Sequence, residues 1–241
     1  MQSGFFIFLT LIMIRENLRL IQASIARAAE KSGRTPEEIT LVAVTKTVPI
    51  AAIQETIRCG HNFFGENYIQ EAAGKIPCCP PDTNWHFIGH LQSNKAKQAV
   101  ELFQVIETVD RWEIARILNK YARQLNRYPS ILIQVNLGRE RQKSGILSEH
   151  LEDLLHRIGQ ETALPVLGLM TMPPYFSDPE QSRPYFQQLK ELSMQLARKN
   201  LFADNSNVVL SMGMSNDYTV AIEEGATTIR VGSALFGTRN I

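Results

Sequence analysis

A (β/α)8 barrel, an α/β fold, is what the sequence predicts, on three observations. Eight short β-branched or apolar runs alternate with helix-length segments, the pattern of βαβ units and parallel pairing. The chain has 241 residues, close to the roughly 250 of such a barrel. Its first run, ITLVAVTK over 39–46, is almost wholly apolar and β-branched, as befits a strand covered on both faces. No internal repeat or linker divides the chain, so one domain is expected. An open doubly wound sheet is the alternative architecture.

The elements follow in order. Leu18, Ile21, Ile25, Ala28 and Ala29 recur at helical spacing, and Gly33 stops that helix ahead of Thr35-Pro36. After the first strand, IAAIQETIRCG reads as a helix and HNFFGEN as a strand. YIQEAAGKI is helical, WHFIGH a strand, SNKAKQAVEL a helix and FQVIETV a strand. RWEIARILNKYARQLNR is a long helix, and ILIQVN a strand. SEHLEDLLHRIGQ is a helix with Ser148 as its expected N-cap. PVLGLMTM, NVVLSMG and TTIRVG are the last three strands, separated by helices over 179–200 and 215–225. The tail SALFGTRNI is too short for a full helix, so the helix over 15–31 is expected to fill the vacant place in the outer ring.

Composition narrows the functions. With 25 Lys+Arg against 24 Asp+Glu, the chain lacks the charge footprint of a nucleic-acid or anionic-membrane surface. Cys59, Cys78 and Cys79 are odd in number and form no CxxC pair, so reduced thiols are expected, without a disulfide framework or zinc site. Phe5 to Ile14 form a ten-residue apolar run, half of the ~20 residues a membrane span takes. No Lys or Arg precedes Arg15, as a secretory n-region would require. A membrane-associating tail, a weak signal and sequence upstream of a fold that starts at Met13 compete. The third is preferred: residues 1–12 as an apolar extension outside the fold, and 13–241 as one barrel domain.

In a barrel the chemistry sits at the C-terminal ends of the strands. Lys46 ends the first strand, where apolar surroundings favour the neutral amine that attacks a carbonyl; a lysine that merely snorkels out is the plain alternative. Arg230 lies between Ile229 and Val231, a costly place for a guanidinium without a specific acceptor. It reads as a ligand contact or as an ion pair with an acid on a neighbouring strand. Ser211-Met212-Gly213-Met214-Ser215 after strand seven and Gly232-Ser233 after strand eight are the phosphate candidates, since barrels often seat a phosphate there. His86 and His90 share a strand face without an evident carboxylate or third ligand, so no metal is expected. Glu223-Glu224 reads as a solvated face, and Met170 with Met172 as packing at a strand end.

With those residues in place, the segments LVAVTK, FFGENYIQE, WHFIGHLQSNK, QVNLGRERQKSG, GLMTM and LSMGMSNDYTVAIEEGATTIRVGSALFG resemble the pyridoxal phosphate homeostasis protein family, over residues 15 to 240. The resemblance implies a single barrel like the N-terminal domain of alanine racemase, binding pyridoxal 5′-phosphate (PLP) to maintain vitamin B6 balance. By resemblance Lys46 carries the PLP Schiff base, Arg230 donates to the pyridine nitrogen, and Asn67 lines the ring side. Ser211, Gly213, Gly232 and Ser233 hold the phosphate. Asn216 stands where an acidic residue is usual, outside those assigned contacts. PLP-dependent apo-enzymes are the implied partners, with neither nucleic acid nor membrane, for a cytoplasmic monomer or weak dimer.

Two function classes remain open. One is a PLP carrier without turnover; the other is a barrel-type racemase or decarboxylase. A racemase needs a second base, commonly a tyrosine from an added domain, and the sequence ends about ten residues after strand eight. Tyr68 and Tyr218 follow strand ends and are the residues expected to approach the ring.

Overall fold

A computed structural model describes residues 2–237, with side chains from Met13 onward. Eight parallel strands close into one barrel in sequence order: β1 (Thr40–Val44), β2 (Phe63–Glu66), β3 (Asn84–Phe87), β4 (Val105–Val109), β5 (Ser130–Val135), β6 (Val166–Thr171), β7 (Val209–Met214) and β8 (Thr228–Val231). The open-sheet alternative is excluded because β8 pairs with β1, Arg230 opposite Val42. Around it run α1 (Gln2–Lys31), α2 (Ile50–Arg58), α3 (Ile69–Lys75), α4 (Ala96–Leu102), α5 (Trp112–Leu125), α6 (Leu151–Glu161), α7 (Arg183–Ala197), α8 (Tyr218–Glu223) and the short α9 (Ser233–Phe236).

α1 takes the place expected of it in the ring, packing against α8, α9 and α2. Its buried stripe runs Ile14, Leu18, Ile21, Ile25, Ala28, Ala29, and each large member contributes on the order of 1.5–3 kcal/mol. Asn17 donates to the Leu235 carbonyl at 3.0 Å and ties α1 to the last turn. The helix does not begin at Met13: its backbone is helical from Gln2. Whether the apolar run of 1–12 packs on the fold lies outside the described side chains.

Two local expectations are corrected. Ser148 does not cap α6; it sits inside a 3-10 turn, Ser148–His150, that precedes the helix, and its hydroxyl meets Glu149. Glu223 and Glu224 are not a solvated face, since both are half-buried and bound to Arg183 at 2.8 and 2.5 Å. Glu223 also pairs with Lys31 at 2.6 Å, so these acids staple α7 and α1 to the end of α8.

The apolar core lies mostly between strands and helices. Inside the barrel Val42, Val44, Ile88, Leu132 and Met170 are buried beside a group of charged side chains.

Candidate functional site

At the C-terminal mouth of the barrel lies a cavity of about 470 Å³. β1 is shorter than expected and ends at Val44. Lys46 therefore stands two residues beyond it, in a turn closed by the Val48 amide donating to the Thr45 carbonyl at 2.9 Å. Lys46 is half-buried, lines the cavity, and its amine has no hydrogen-bond or ion-pair partner among the described residues.

Arg230, Asn67, Gly232 and Ser233 line the same cavity, so the structure brings these sequence-derived candidates together. Ser211 and Gly213 are placed elsewhere. Ser211 is fully buried and lies within the barrel, one layer below the cavity. Gly213 supports the loop from behind: its φ is +91°, and a Cβ there would come within 2.6 Å of Ala221 and 2.9 Å of the Tyr218 backbone. A register shift between Ser211 and Met214 in the β7–β8 pairing separates the buried serine from the loop beyond it. Of the serines in the 211–215 segment, Ser215 is the one at the cavity. Its hydroxyl accepts the Gly232 and Ala234 amides at 3.2 and 3.3 Å, so two backbone N–H groups converge on one oxygen position at the rim. Asp217 fixes this loop by accepting the Met214 amide at 2.7 Å.

The floor of the cavity is electrostatic. Arg230 donates to Ser211 Oγ at 2.5 Å and to the Thr171 carbonyl at 2.9 Å. Ser211 donates to Glu107 Oε2 at 2.5 Å, and His86 Nδ1 meets Glu107 Oε1 at 2.6 Å. β4 neighbours neither β7 nor β8, so Glu107 reaches Ser211 and Arg230 across the barrel interior. The carboxylate expected to be missing beside His86 is thus present in space. Burial pushes the Glu107 carboxyl up, but the hydrogen bond from His86 and the charges of His86 and Arg230 outweigh it and hold the pKa below its ordinary value. For Arg230, burial lowers the guanidinium's pKa, against the pull of Glu107 and Asp217. No group of metal-ligating side chains occurs among the described residues.

The walls are apolar, from Val44, Ile88, Met172 and Met214, with Tyr175 and Phe176 on the loop after β6. Asn216 also lines the cavity and donates to the Phe176 carbonyl at 3.0 Å, nearer the site than expected. Tyr68 and Tyr218 do not line it; Tyr175 does, although 80% exposed. The sequence held Ser215 within the phosphate candidate segment, although the resemblance assigned the contacts to Ser211 and Gly213; it did not single out Asp217 or Glu107. The signal for Ser215 was available, because it follows the strand whereas Ser211 lies within it.

The donor set suits an anionic aromatic aldehyde: a free amine, a guanidinium, hydroxyls and amides at one end, and flat apolar walls between. Asn67 Oδ1 is buried and has no partner among the described residues, an acceptor that a ligand hydroxyl would satisfy. Comparisons with known proteins agree with this chemistry. The family model of the alanine racemase N-terminal domain matches residues 14–240. The pyridoxal phosphate homeostasis protein of Aquifex aeolicus is 41% identical over 228 residues, 93% of this chain and 97% of that one. The structure of PipY from Synechococcus elongatus with PLP bound is 35% identical, covers 93% of this chain and all of that one, and superposes with a TM-score of 0.81. Alanine racemase from Streptomyces coelicolor, at 18% identity, shares the fold with a TM-score of 0.69, over 95% of this chain and 59% of its own. The chain therefore belongs to the pyridoxal phosphate homeostasis proteins, within the family of the alanine racemase N-terminal domain.

Proposed function

We propose that the cavity binds PLP and that the chain stores and releases it, joined to Lys46, without turnover of a substrate. One observation carries the reading: the unpartnered Lys46 amine, the Ser215–Gly232–Ser233 rim and the embedded Arg230 line one cavity. PipY, 35% identical in sequence and alike over its whole length, has been solved with PLP bound.

When bound, PLP supplies an aldehyde that a lysine amine captures and a ring that withdraws electrons. In this reading Ser215, Ser233 and the amides of Gly232 and Ala234 hold the phosphate, while Val44, Ile88 and Met172 exclude water from the ring faces. Asn67 accepts from the ring hydroxyl. Ser211 orients Arg230 from below, and Gly213 gives the rim loop its turn. Arg230 has five N–H groups and no acceptor, so it donates permanently to the ring nitrogen and disfavours its protonation. An acid at that place would strengthen the electron sink; arginine weakens it, which supports carriage over carbanion chemistry. Recipient apo-enzymes and action in the cytoplasm, as a monomer or weak dimer, complete the proposal. Among the described residues no helix is long and apolar enough to cross a membrane.

Borohydride reduction of the PLP-loaded protein, followed by peptide mapping, tests the assignment. The label is expected on Lys46 and is lost in a folded Lys46→Ala variant; a label mainly on Lys95 or Lys143 would overturn it. Sustained racemisation or decarboxylation of L-alanine or L-serine would favour the enzyme alternative.

A further inference from the structure

Lys46 occupies the second position of the turn Thr45–Val48, and the third position, Thr47, has φ +58°. That left-handed conformation suits glycine; for a β-branched residue it is an outlier that persists only where its surroundings hold it. The surroundings here are two side chains of α3 and one from β2. Glu71 accepts the Thr47 amide at 2.8 Å. Lys75 places its ammonium 2.7 Å from the Thr45 carbonyl, 2.7 Å from Glu71 and 2.7 Å from Glu66. Glu66 is fully buried and accepts the Thr45 hydroxyl at 2.7 Å. The Thr45 hydroxyl, the Thr45 carbonyl and the Thr47 amide, on either side of Lys46, are thus tied to one charged cluster, while Lys46 itself is left out of it.

We propose that Glu66, Glu71 and Lys75 form a clamp that holds the strained turn so that the Lys46 amine faces the cavity. These are positioning residues: none of the three lines the cavity. The inference rests on the reading that Lys46 joins PLP. That linkage is a condensation, in which the amine nitrogen bonds the aldehyde carbon and the aldehyde oxygen leaves as water with both amine hydrogens. It requires the nitrogen to reach one carbon along one direction, and small displacements of a reacting group are costly. Phosphate binding at the far rim makes no such demand on this turn. The clamp therefore acts on linkage and leaves noncovalent binding alone.

The experiment compares PLP with pyridoxine 5′-phosphate, which has the phosphate and ring but no aldehyde. In Glu71→Ala the Thr47 amide loses its acceptor on a half-exposed helix face, so folding should survive. Linkage to Lys46, followed by visible absorption and borohydride trapping, is expected to slow about tenfold, as for loss of one charge-assisted hydrogen bond. The dissociation constant of pyridoxine 5′-phosphate should stay within about twofold. Glu71→Gln, which keeps an acceptor, should recover most of the rate, and Lys75→Met should exceed the loss in Glu71→Ala. Thr47→Gly in the Glu71→Ala background should regain rate, because glycine adopts the turn freely. Unchanged linkage in both Glu71→Ala and Lys75→Met overturns the clamp, as does an equal loss of pyridoxine 5′-phosphate binding, which marks a general structural role. If the parent protein itself is trapped at another lysine, the underlying assignment has failed instead, a result visible before any variant is made.

Discussion

Arg230 and Glu107 face each other across the inside of the barrel, Nη1 to Oε2 at 3.8 Å, with the Ser211 hydroxyl bridging them. The guanidinium that lines the cavity is therefore oriented by a carboxylate that never reaches solvent. Of the two readings the sequence left open, the ion pair is present in the structure, and the same side chain lines the cavity.

The pair sets an acid limit on stability. The Glu107 pKa is held down in the folded protein, so its stabilising contribution is complete above the unfolded carboxylate range, roughly pH 4. It is lost as the pH falls through the lower, folded value. Urea titrations below pH 5 should show that decline, with a shallower slope in Glu107→Gln. At neutral pH that variant is expected to lose about 3–5 kcal/mol, because Arg230 remains buried without its counter-charge. A neutral-pH midpoint equal to the parent's would refute the pairing.

The serines should separate. Ser215→Ala is expected to weaken PLP binding by roughly ten- to a hundredfold with an unchanged urea midpoint, and Ser233→Ala to act in the same direction. Ser211→Ala should instead lower stability by about 1–3 kcal/mol and shift the absorption of bound PLP through Arg230. The reverse assignment, with Ser211 governing affinity alone, would put the phosphate one layer deeper.

Arg230→Ala offers a direct optical readout. Loss of a permanent donor at the ring should change the pH dependence of the bound PLP spectrum as well as lower stability. A destabilised variant with the parent's spectrum would reduce Arg230 to its ion pair.

Gly213→Ala should be costly, by about 2–4 kcal/mol, from positive φ combined with overpacking. Thermal unfolding and PLP titration should both register it, since the added methyl group would meet Ala221 and the Tyr218 backbone. A variant as stable as the parent would mean that α8 shifts at little cost.

Removal of the residues before Met13 probes the apolar run. Ile14 is the first described buried side chain, at 1% exposure, so a chain starting at Met13 keeps the known seat of α1. Its unfolding free energy should stay within about 1 kcal/mol of the full chain. A loss of several kcal/mol would make the run part of the core.

Much of this was legible because strand periodicity and barrel closure are local-pattern properties. The alternation of apolar runs placed Lys46, Gly232 and Ser233 at strand ends and Arg230 within the last strand, the family resemblance added Asn67, and all five meet at one cavity. Within the 211–215 segment the strand pattern already put Ser211 inside the strand and Ser215 beyond it; the register shift between Ser211 and Met214, which spacing does not reveal, accompanies the placement of Ser215 rather than Ser211 at the cavity. Glu107 was illegible for another reason: its bond to Ser211 spans 104 residues of sequence, and only closure of the barrel brings the two together. Tyr175 was missed because it lies on a loop, where neither helical nor strand periodicity says which way a side chain faces.

The placement of α1 between α8 and α2 has a consequence for how the chain is made. Synthesis delivers α1 well before α8 and α9, yet both of these late-made helices pack against α1, which buries Ile14, Leu18, Ile21 and Ile25. Until the late-made end emerges, the earliest helix has an incomplete seat and β1 lacks its β8 partner. Contacts of such long sequence separation form slowly, and apolar surface exposed meanwhile invites aggregation. A nascent chain stalled after β7 should hold α1 in a protease-sensitive, chaperone-accessible form, and emergence of α8, β8 and α9 should protect it at once.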